Sequence, residues 1–247
     1  MSVYAVSDLH GQKRLWDQIK AYLKPEDKLY CLGDCIDRGP DGFDILVEVL
    51  NRPNTEMIMG NHEKLMLQHY NPRLEIDSFS MYSNLWFMNG GHYTLLNMRD
   101  YDEDFIQETL SKVRQLEYLI SIQNDKGQKI ILDHSGYSIR VGQTDPMWDR
   151  YHFHETWPTE EEYQNTYMVH GHTPTVALFR FRVEGLEKYS KREIQHNPEI
   201  IKYASGHKID IDLGCFATNK TCLLDLNTLE PIYFEQEKNS DIEYIFE

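Results

Sequence analysis

Residues 28–39, KLYCLGDCIDRG, join a short apolar run to a dense polar cluster. The run KLYCL predicts a strand, and residues 33–39 then place two aspartates and an arginine between two glycines. The same order, a strand followed within two residues by Asp, Asn or His, recurs after the runs VYAV, TEMIM, KIIL and TYMV. In open α/β folds, ligands bind beyond the carboxyl ends of the strands. We therefore expect five polar loops to converge.

Helical patterns separate the strands in the first third of the chain. The segments at 13–23 and 43–50 predict helices, and their alternation with strands predicts parallel pairing through right-handed crossovers. A further helix is predicted over residues 103–118, and the runs KIIL, TYMV, KIDID and TCLLDL after it predict strands. The pattern indicates an α/β (α+β) fold with sheet packed on sheet and helices outside. Without a repeat or an obvious linker, we predict a single domain over residues 1–247.

The composition of the chain disfavours some classes of binding partner and indicates the cellular compartment. The chain has 247 residues, 40% of them hydrophobic, which is enough for a substantial core. Forty acidic against 25 basic residues give a net charge of −15, which disfavours nucleic acid and anionic membranes as partners. The four cysteines form no CxxC pair, and no signal peptide or membrane span is recognisable at the amino terminus. We therefore expect free thiols and a cytoplasmic protein.

The side chains in the five loops favour a metal centre. They are carboxylates, imidazoles and an amide, a donor set that suits Mn, Fe or Zn better than Ca or Mg. They outnumber one coordination sphere, which predicts two metal ions with a bridging carboxylate that clamp a phosphoryl group. Asp8 and His10 would share a face in an extended strand end, and Arg38 offers a fork for phosphate oxygens. The alternative, that these residues are turn formers and helix caps, explains one or two loops but not five in order.

The ordered motifs resemble those of the calcineurin-like metallophosphoesterases, in the phosphoprotein phosphatase branch. That branch carries DxHG, GDxxDRG, GNHE, HxG and GHT, and this chain reads DLHG, GDCIDRG, GNHE, HSG and GHT at residues 8–11, 33–39, 60–63, 134–136 and 171–173. The resemblance is greatest to compact bacterial and phage members, including lambda-phage protein phosphatase and the diadenosine tetraphosphatases. It implies a fold of two packed mixed β-sheets flanked by helices.

The resemblance also implies the ligands and the cofactors. The implied ligands are Asp8, His10 and Asp34 on one metal ion and, with Asp34 bridging, Asn61, His134 and His172 on the second. The cofactors would be two metal ions, with manganese expected first and iron or zinc as alternatives.

Four further residues take roles by the same resemblance. His62 would be the general acid that protonates the leaving alkoxide, and Asp37 would orient its ring. Arg38 would bind the phosphate. The stretch DPMWDRYHF at residues 145–153 is similar to the family's tryptophan-then-arginine segment and nominates Arg150 as a second phosphate ligand, with an ordinary surface arginine as the alternative.

The function implied is a dinuclear-metal phosphatase that hydrolyses phosphomonoesters by direct attack of metal-bound hydroxide. Its substrate would be a phosphoserine or phosphothreonine protein or a small phosphate ester. The first alternative is a diadenosine tetraphosphate-type pyrophosphatase. Relatives with that activity share nearly all of these motifs, and many carry Asp where this chain has Glu63. The second is a catalytically silent phosphate- or metal-binding module, which is disfavoured because every implied ligand and the general acid are present.

Three features stay open on the sequence alone. His170, just ahead of GHT, could hydrogen-bond near the site or simply finish its strand. Residues 179–208, longer than usual in compact relatives and locally basic, could be a substrate-facing lid, an oligomer contact or a solvated elaboration. The aromatic stretch at 147–157 could line the leaving-group pocket or pack half-buried.

Overall fold

The computed structural model describes residues 1–71, 76–139, 142, 148 and 150–237, and for residues 76–79 it describes the backbone alone. Its strands are β1 (Val3–Val6), β2 (Lys28–Cys31), β3 (Thr55–Met57), β4 (Leu119–Gln123), β5 (Lys129–Asp133), β6 (Thr166–His170), β7 (Ile201–Tyr203), β8 (Lys208–Asp210), β9 (Lys220–Asp225) and β10 (Glu230–Glu235). Its α-helices are α1 (Lys13–Tyr22), α2 (Gly42–Asn51), α3 (Asn61–His69), α4 (Ile76–Met88), α5 (Gly91–Asn97), α6 (Glu103–Val113), α7 (Lys191–His196) and α8 (Cys215–Thr218).

The described strands form two mixed five-stranded sheets. The first has the order β10-β9-β1-β2-β3, with β1, β2 and β3 parallel, as the alternation of strands and helices predicted. The second has the order β4-β5-β6-β8-β7, with β5, β6 and β8 parallel and an antiparallel strand at each edge. The predicted pair of sheets is thereby confirmed.

Three apolar clusters hold these layers together. The first lies between the two sheets and combines residues such as Ala5 of the first sheet with Val169 of the second. Another packs the helices on the first sheet through side chains such as Trp16 and Phe43. The last joins the second sheet to residues 179–208, which contribute buried side chains rather than a fully solvated elaboration. Burial of these side chains from water is the main stabilising contribution to the fold.

The helix predicted over residues 103–118 is shorter than expected. It ends at Val113, and the chain is extended again by Glu117. Glu117 forms a parallel bridge with Ile58, and its carbonyl oxygen accepts from the N–H of Met59 at 2.8 Å. Leu116 still packs against the core, so the apolar stripe continued past the end of the helix. The prediction was wrong there because backbone pairing to the end of β3 takes precedence over helical periodicity.

Among the described helices, none is long and apolar enough to span a membrane.

Candidate metal centre

The polar loops converge where the parallel strands end, and backbone hydrogen bonds tie neighbouring loops together. The N–H of Asp8, after β1, donates to the carbonyl of Gly33 at 3.1 Å, and the N–H of His10 donates to that of Asp34 at 3.0 Å. After the strands of the second sheet, the N–H of Gly171 donates to the carbonyl oxygen of His134 at 3.0 Å. The first two loops and the last two loops are thus joined by their main chains. The third is tied to the second through side chains, since the N–H of His62 donates to Asp34 Oδ1 at 3.0 Å.

Left-handed backbone is concentrated in these loops. Six residues of the predicted site have positive φ angles between 43° and 69°: Asp8, His10, Asp34, Asp37, Arg38 and His172. The expectation of an extended strand end at Asp8 and His10 was therefore wrong, although the two side chains do lie together. Such conformations are costly for residues with a Cβ and cluster at functional sites, where the surrounding structure imposes them.

Two groups of side chains could each hold a metal ion, and Asp34 belongs to both. His10, Asp34 and His62 form one group, and Asp34, His134 and His172 form the other, with the ligand atoms of each group within 4.8 Å of one another.

Two further side chains predicted as ligands complete these groups. Asn61 Oδ1 lies 2.8 Å from both His134 Nε2 and His172 Nδ1. Asp8 Oδ1 lies 3.8 Å from His10 Nε2, and its other oxygen accepts from the N–H of His172 at 3.0 Å. All six residues predicted as ligands are thus brought together.

The orientation of the imidazoles suits a cation at the centre. His10 Nδ1 lies 2.9 Å from the carbonyl oxygen of Ile36, and His134 Nδ1 lies 2.7 Å from that of Leu32. A ring N–H that donates to a carbonyl leaves the Nε2 lone pair for a metal ion. Burial lowers the pKa of His134, but the negative charge of Asp34 outweighs it and raises this pKa to about 10. The surroundings of His134 therefore favour a positive charge, which a proton or a metal ion can supply.

His62 and Asp37 form a tightly held pair beside this centre. His62 Nδ1 lies 2.6 Å from Asp37 Oδ2, and both side chains are fully buried. Burial lowers the pKa of His62, but Asp34 and Asp37 outweigh it and raise the pKa above its ordinary value. These carboxylates favour the protonated form of the ring, whose Nε2 lies on the side away from Asp37.

Both predicted phosphate-binding arginines border the centre. The Arg38 guanidinium lies 3.0 Å from His10 Nε2 and 3.0 Å from His62 Nε2, and it stacks 4.6 Å above the ring of Phe216. Arg150 Nη2 lies 3.1 Å from His172 Nε2, on the other side. In an acidic protein, these two cations supply the local positive charge that a phosphate site requires.

The family profile described as calcineurin-like phosphoesterase matches residues 1–210. The chain belongs to that family. The match begins before the first motif and ends beyond the last, so it includes every loop of the centre.

Curated relatives agree with this assignment. The chain is 30% identical to serine/threonine-protein phosphatase 2 of Escherichia coli (strain K12), over 55% of this chain and 58% of that protein. It is 25% identical to a symmetrical bis(5'-nucleosyl)-tetraphosphatase of Buchnera aphidicola subsp. Schizaphis graminum (strain Sg), over 60% of this chain and 47% of that one. The chain thus spans about half the length of these relatives.

A solved structure supports the fold. The metallophosphoesterase from Sphaerobacter thermophilus superposes with a TM-score of 0.51 at 14% identity, covering 96% of this chain and 88% of that one. The predicted metallophosphoesterase fold is confirmed.

Two residues that bind Asp37 escaped the sequence analysis. The Trp86 indole N–H donates to Asp37 Oδ2 at 2.8 Å, and the Thr94 hydroxyl donates to Oδ1 at 2.5 Å. The Asn89-Gly90-Gly91 turn between them is close-packed, because a Cβ on Gly91 would lie 2.6 Å from the Trp86 ring. This turn, beside aromatic residues, was the available sequence signal.

Glu63 has a structural role that its motif did not reveal. Its two carboxylate oxygens accept from the backbone N–H groups of Asp34 and Cys35, each at 2.8 Å. Burial and the charge of Asp34 raise the pKa of Glu63 to about 7. Glu63 thus anchors the loop that carries the shared carboxylate.

His170 and His172 have different partners, although sequence spacing in a strand would put them on one face. β6 ends at His170, and His172 adopts a left-handed backbone, so strand alternation does not extend to it. His172 reaches Asn61, whereas His170 Nε2 lies 2.8 Å from the hydroxyl of Tyr203. Burial lowers the pKa of His170 to about 3, so its ring is neutral.

The aromatic stretch at 147–157 divides between the site and the core. The Trp148 ring lies edge-on 5.5 Å from His172 and is partly exposed, whereas His152 and Phe153 are buried. Residues 147 and 149 lie outside the described part of the chain. Trp148 therefore borders the centre, and the predicted packing role applies to His152 and Phe153.

Proposed function

We propose that this protein is a dinuclear-metal phosphoesterase that hydrolyses phosphomonoesters of peptides or small molecules. The observation that carries the proposal is the position of Asp34, shared by two groups of potential metal ligands. Arg38 and Arg150 border these groups, and His62, which belongs to one of them, is paired with the buried carboxylate of Asp37. Shared carboxylate, flanking arginines and a protonated imidazole are together what phosphate-ester hydrolysis requires.

The described residues fit two metal ions. One ion would be held by Asp8, His10 and Asp34, and the other by Asp34, Asn61, His134 and His172. Manganese is proposed because oxygen and imidazole donors are mixed and no thiolate is among them. When bound, the ions supply Lewis acidity to the phosphate group and lower the pKa of water.

The chain's own residues would bind the phosphate and deliver the proton. Arg38 and Arg150 would each donate to phosphate oxygens, with the Arg38 guanidinium oriented by stacking on Phe216. His62, held by Asp37, would donate its Nε2 proton to the oxygen of the departing alcohol. Because Asp37 accepts from Trp86 and Thr94 as well, it cannot rotate away from the imidazole.

A second candidate is a pyrophosphatase that cleaves diadenosine tetraphosphate. It is supported by the curated relatives that carry such a name. Glu63 favours the phosphatase, because many relatives with the pyrophosphatase activity carry Asp at this position.

A substrate panel with metal control tests the proposal. Purified protein stripped with a chelator is expected to be inactive, and Mn²⁺ is expected to restore hydrolysis of phosphoserine and phosphothreonine peptides. Diadenosine tetraphosphate is assayed in parallel, and faster cleavage of it would favour the second candidate. No hydrolysis of any phosphate ester with Mn²⁺ present would contradict the phosphoesterase proposal and support the silent binding module.

The hydrogen bond from Trp86 makes a separate prediction. Trp86→Phe removes one donor to the Asp37 carboxylate, and a hydrogen bond to a charged group contributes about 1.5–3 kcal/mol, so turnover of alkyl phosphates should fall about tenfold or more. The matched control is Trp16→Phe, because Trp16 Nε1 donates to Glu48 at 2.7 Å away from the centre. Equal rates for the two variants would show that the Trp86 hydrogen bond does not contribute to turnover.

A further inference from the structure

A buried chain of polar side chains lies outside the residues that the proposed chemistry uses. Its members are His152, Tyr203 and His170, none of which exposes more than 1% of its surface. The hydroxyl oxygen of Tyr203 lies 2.8 Å from His170 Nε2 and 3.1 Å from His152 Nδ1. A single hydroxyl group therefore contacts both imidazoles.

Each end of this chain is attached to a loop that carries a proposed ligand of the second metal ion. His152 Nε2 lies 3.0 Å from the carbonyl oxygen of Ser135, one residue beyond His134. His170 lies two residues before His172, and its Nδ1 is 3.1 Å from the carbonyl oxygen between them. The Tyr203 hydroxyl is thus at the middle of a connection between the two loops.

The His152 ring also packs directly on the backbone of the first loop. Gly136 has a φ of +106°, and a Cβ added there would lie 2.2 Å from His152 Nε2. The ring therefore occupies the space that any side chain at residue 136 would need. Displacement of His152 would remove its contacts with Ser135 and Gly136, in the loop that carries His134.

Tyr203 belongs to the long stretch 179–208, for which the sequence left several roles open. It ends strand β7, and its ring packs 6.1 Å from that of Phe153, in the same apolar cluster as Leu186 and Ile194. That cluster sets the position of the ring and hence of its hydroxyl. The Tyr203 hydroxyl therefore connects residues 179–208 to both loops, through His152 and His170.

We propose that Tyr203 is a positioning residue for the second metal site. Its hydroxyl holds His152 and His170 in place, and through them the loops that bring His134 and His172 to within 2.8 Å of Asn61 Oδ1. The proposal rests on the proposed dinuclear function. Residues that orient metal ligands without touching the metal typically change metal affinity about 10- to 100-fold when they are replaced.

The test is Mn²⁺ binding by the metal-stripped full-length protein, measured by titration calorimetry. Tyr203→Phe should bind one Mn²⁺ as the wild type does and the other about 10- to 100-fold more weakly. In activity assays, the Mn²⁺ concentration needed for half-maximal rate should rise, while the rate at saturating Mn²⁺ approaches that of the wild type. A purely structural role would instead lower the unfolding temperature and leave Mn²⁺ affinity unchanged.

The control is Tyr189→Phe, in the same stretch. The Tyr189 hydroxyl donates to the carbonyl oxygen of Lys202 and accepts from its N–H, without reaching the centre, so its loss should leave both affinities unchanged. If Tyr203→Phe folds poorly, His152→Gln breaks the same connection and should give the same selective loss. A wild-type protein that binds fewer than two Mn²⁺ ions would contradict the proposed function. Two unaltered affinities in Tyr203→Phe would overturn the positioning role alone.

Discussion

Replacing Asp34 by asparagine is expected to abolish phosphate-ester hydrolysis while the protein stays folded. Asparagine keeps an oxygen that can accept from the N–H of His62, a hydrogen bond of 3.0 Å. It loses the charge of Oδ2, which lies 3.4 Å from His134 Nε2 and 3.8 Å from His10 Nε2. Because this carboxylate belongs to both groups of ligands, the binding of both metal ions should be weakened. The loss of several kcal/mol of transition-state stabilisation corresponds to on the order of 10³-fold in rate.

The matched control lies at the opposite end of the same strand. Asp27 precedes β2, is also buried, and accepts from the backbone N–H groups of Ser2 and Lys24 at 2.9 and 3.1 Å. Asp27→Asn should therefore lower thermal stability without reducing metal content or turnover. Metal content is measured by elemental analysis alongside the rates. A metal-replete Asp34→Asn protein with the wild-type rate would refute the assignment of the centre.

Replacing His62 by asparagine is expected to reduce turnover in a way that depends on the leaving group. General acid catalysis typically contributes about 10²- to 10⁴-fold, and most of it is needed when the departing alcohol is a weak acid. Alkyl and serine phosphates should therefore lose far more rate than nitrophenyl phosphate, whose leaving group departs without a proton. The structural basis is the 2.6 Å contact with Asp37 and the raised pKa of His62, which keep the acid protonated.

The measurement is kcat for a series of phosphate esters with leaving groups of graded acidity. His207→Asn is a suitable control, because His207 stacks on Trp157 and its Nδ1 lies 2.8 Å from the carbonyl oxygen of Thr166, outside the centre. Its rates should follow those of the wild type across the series. An equal loss for every ester in His62→Asn would indicate damage to metal binding rather than loss of a general acid.

Much of the centre could be predicted because its residues lie in short motifs that follow one another in a fixed order. Each motif follows a strand, and parallel strands in one sheet present their carboxyl ends at the same edge. The proximity of the loops that carry Asp8 and Asp34 thus follows from the ends of β1 and β2, which are parallel neighbours in one sheet. The 3.4 Å distance from Asp34 to His134 also requires the two sheets to pack against each other. Arg150, nominated by a looser match, also lies at the centre.

The residues that orient the motifs could not be found in this way. Trp86 and Thr94 reach Asp37 from positions 49 and 57 residues away, and neither belongs to a strand end. Their contribution depends on the turn between α4 and α5, which local periodicity does not describe.

The sequence by itself determined the order of strands and helices in the first third, the pairing of two sheets and the donor set of the centre. These depend on periodicity and residue type, which are local properties. Only the tertiary structure decided that His170 turns to Tyr203 while His172 turns to Asn61. That choice depends on a left-handed residue after the strand and on a hydroxyl from a distant strand, contacts that exist only once both sheets are packed.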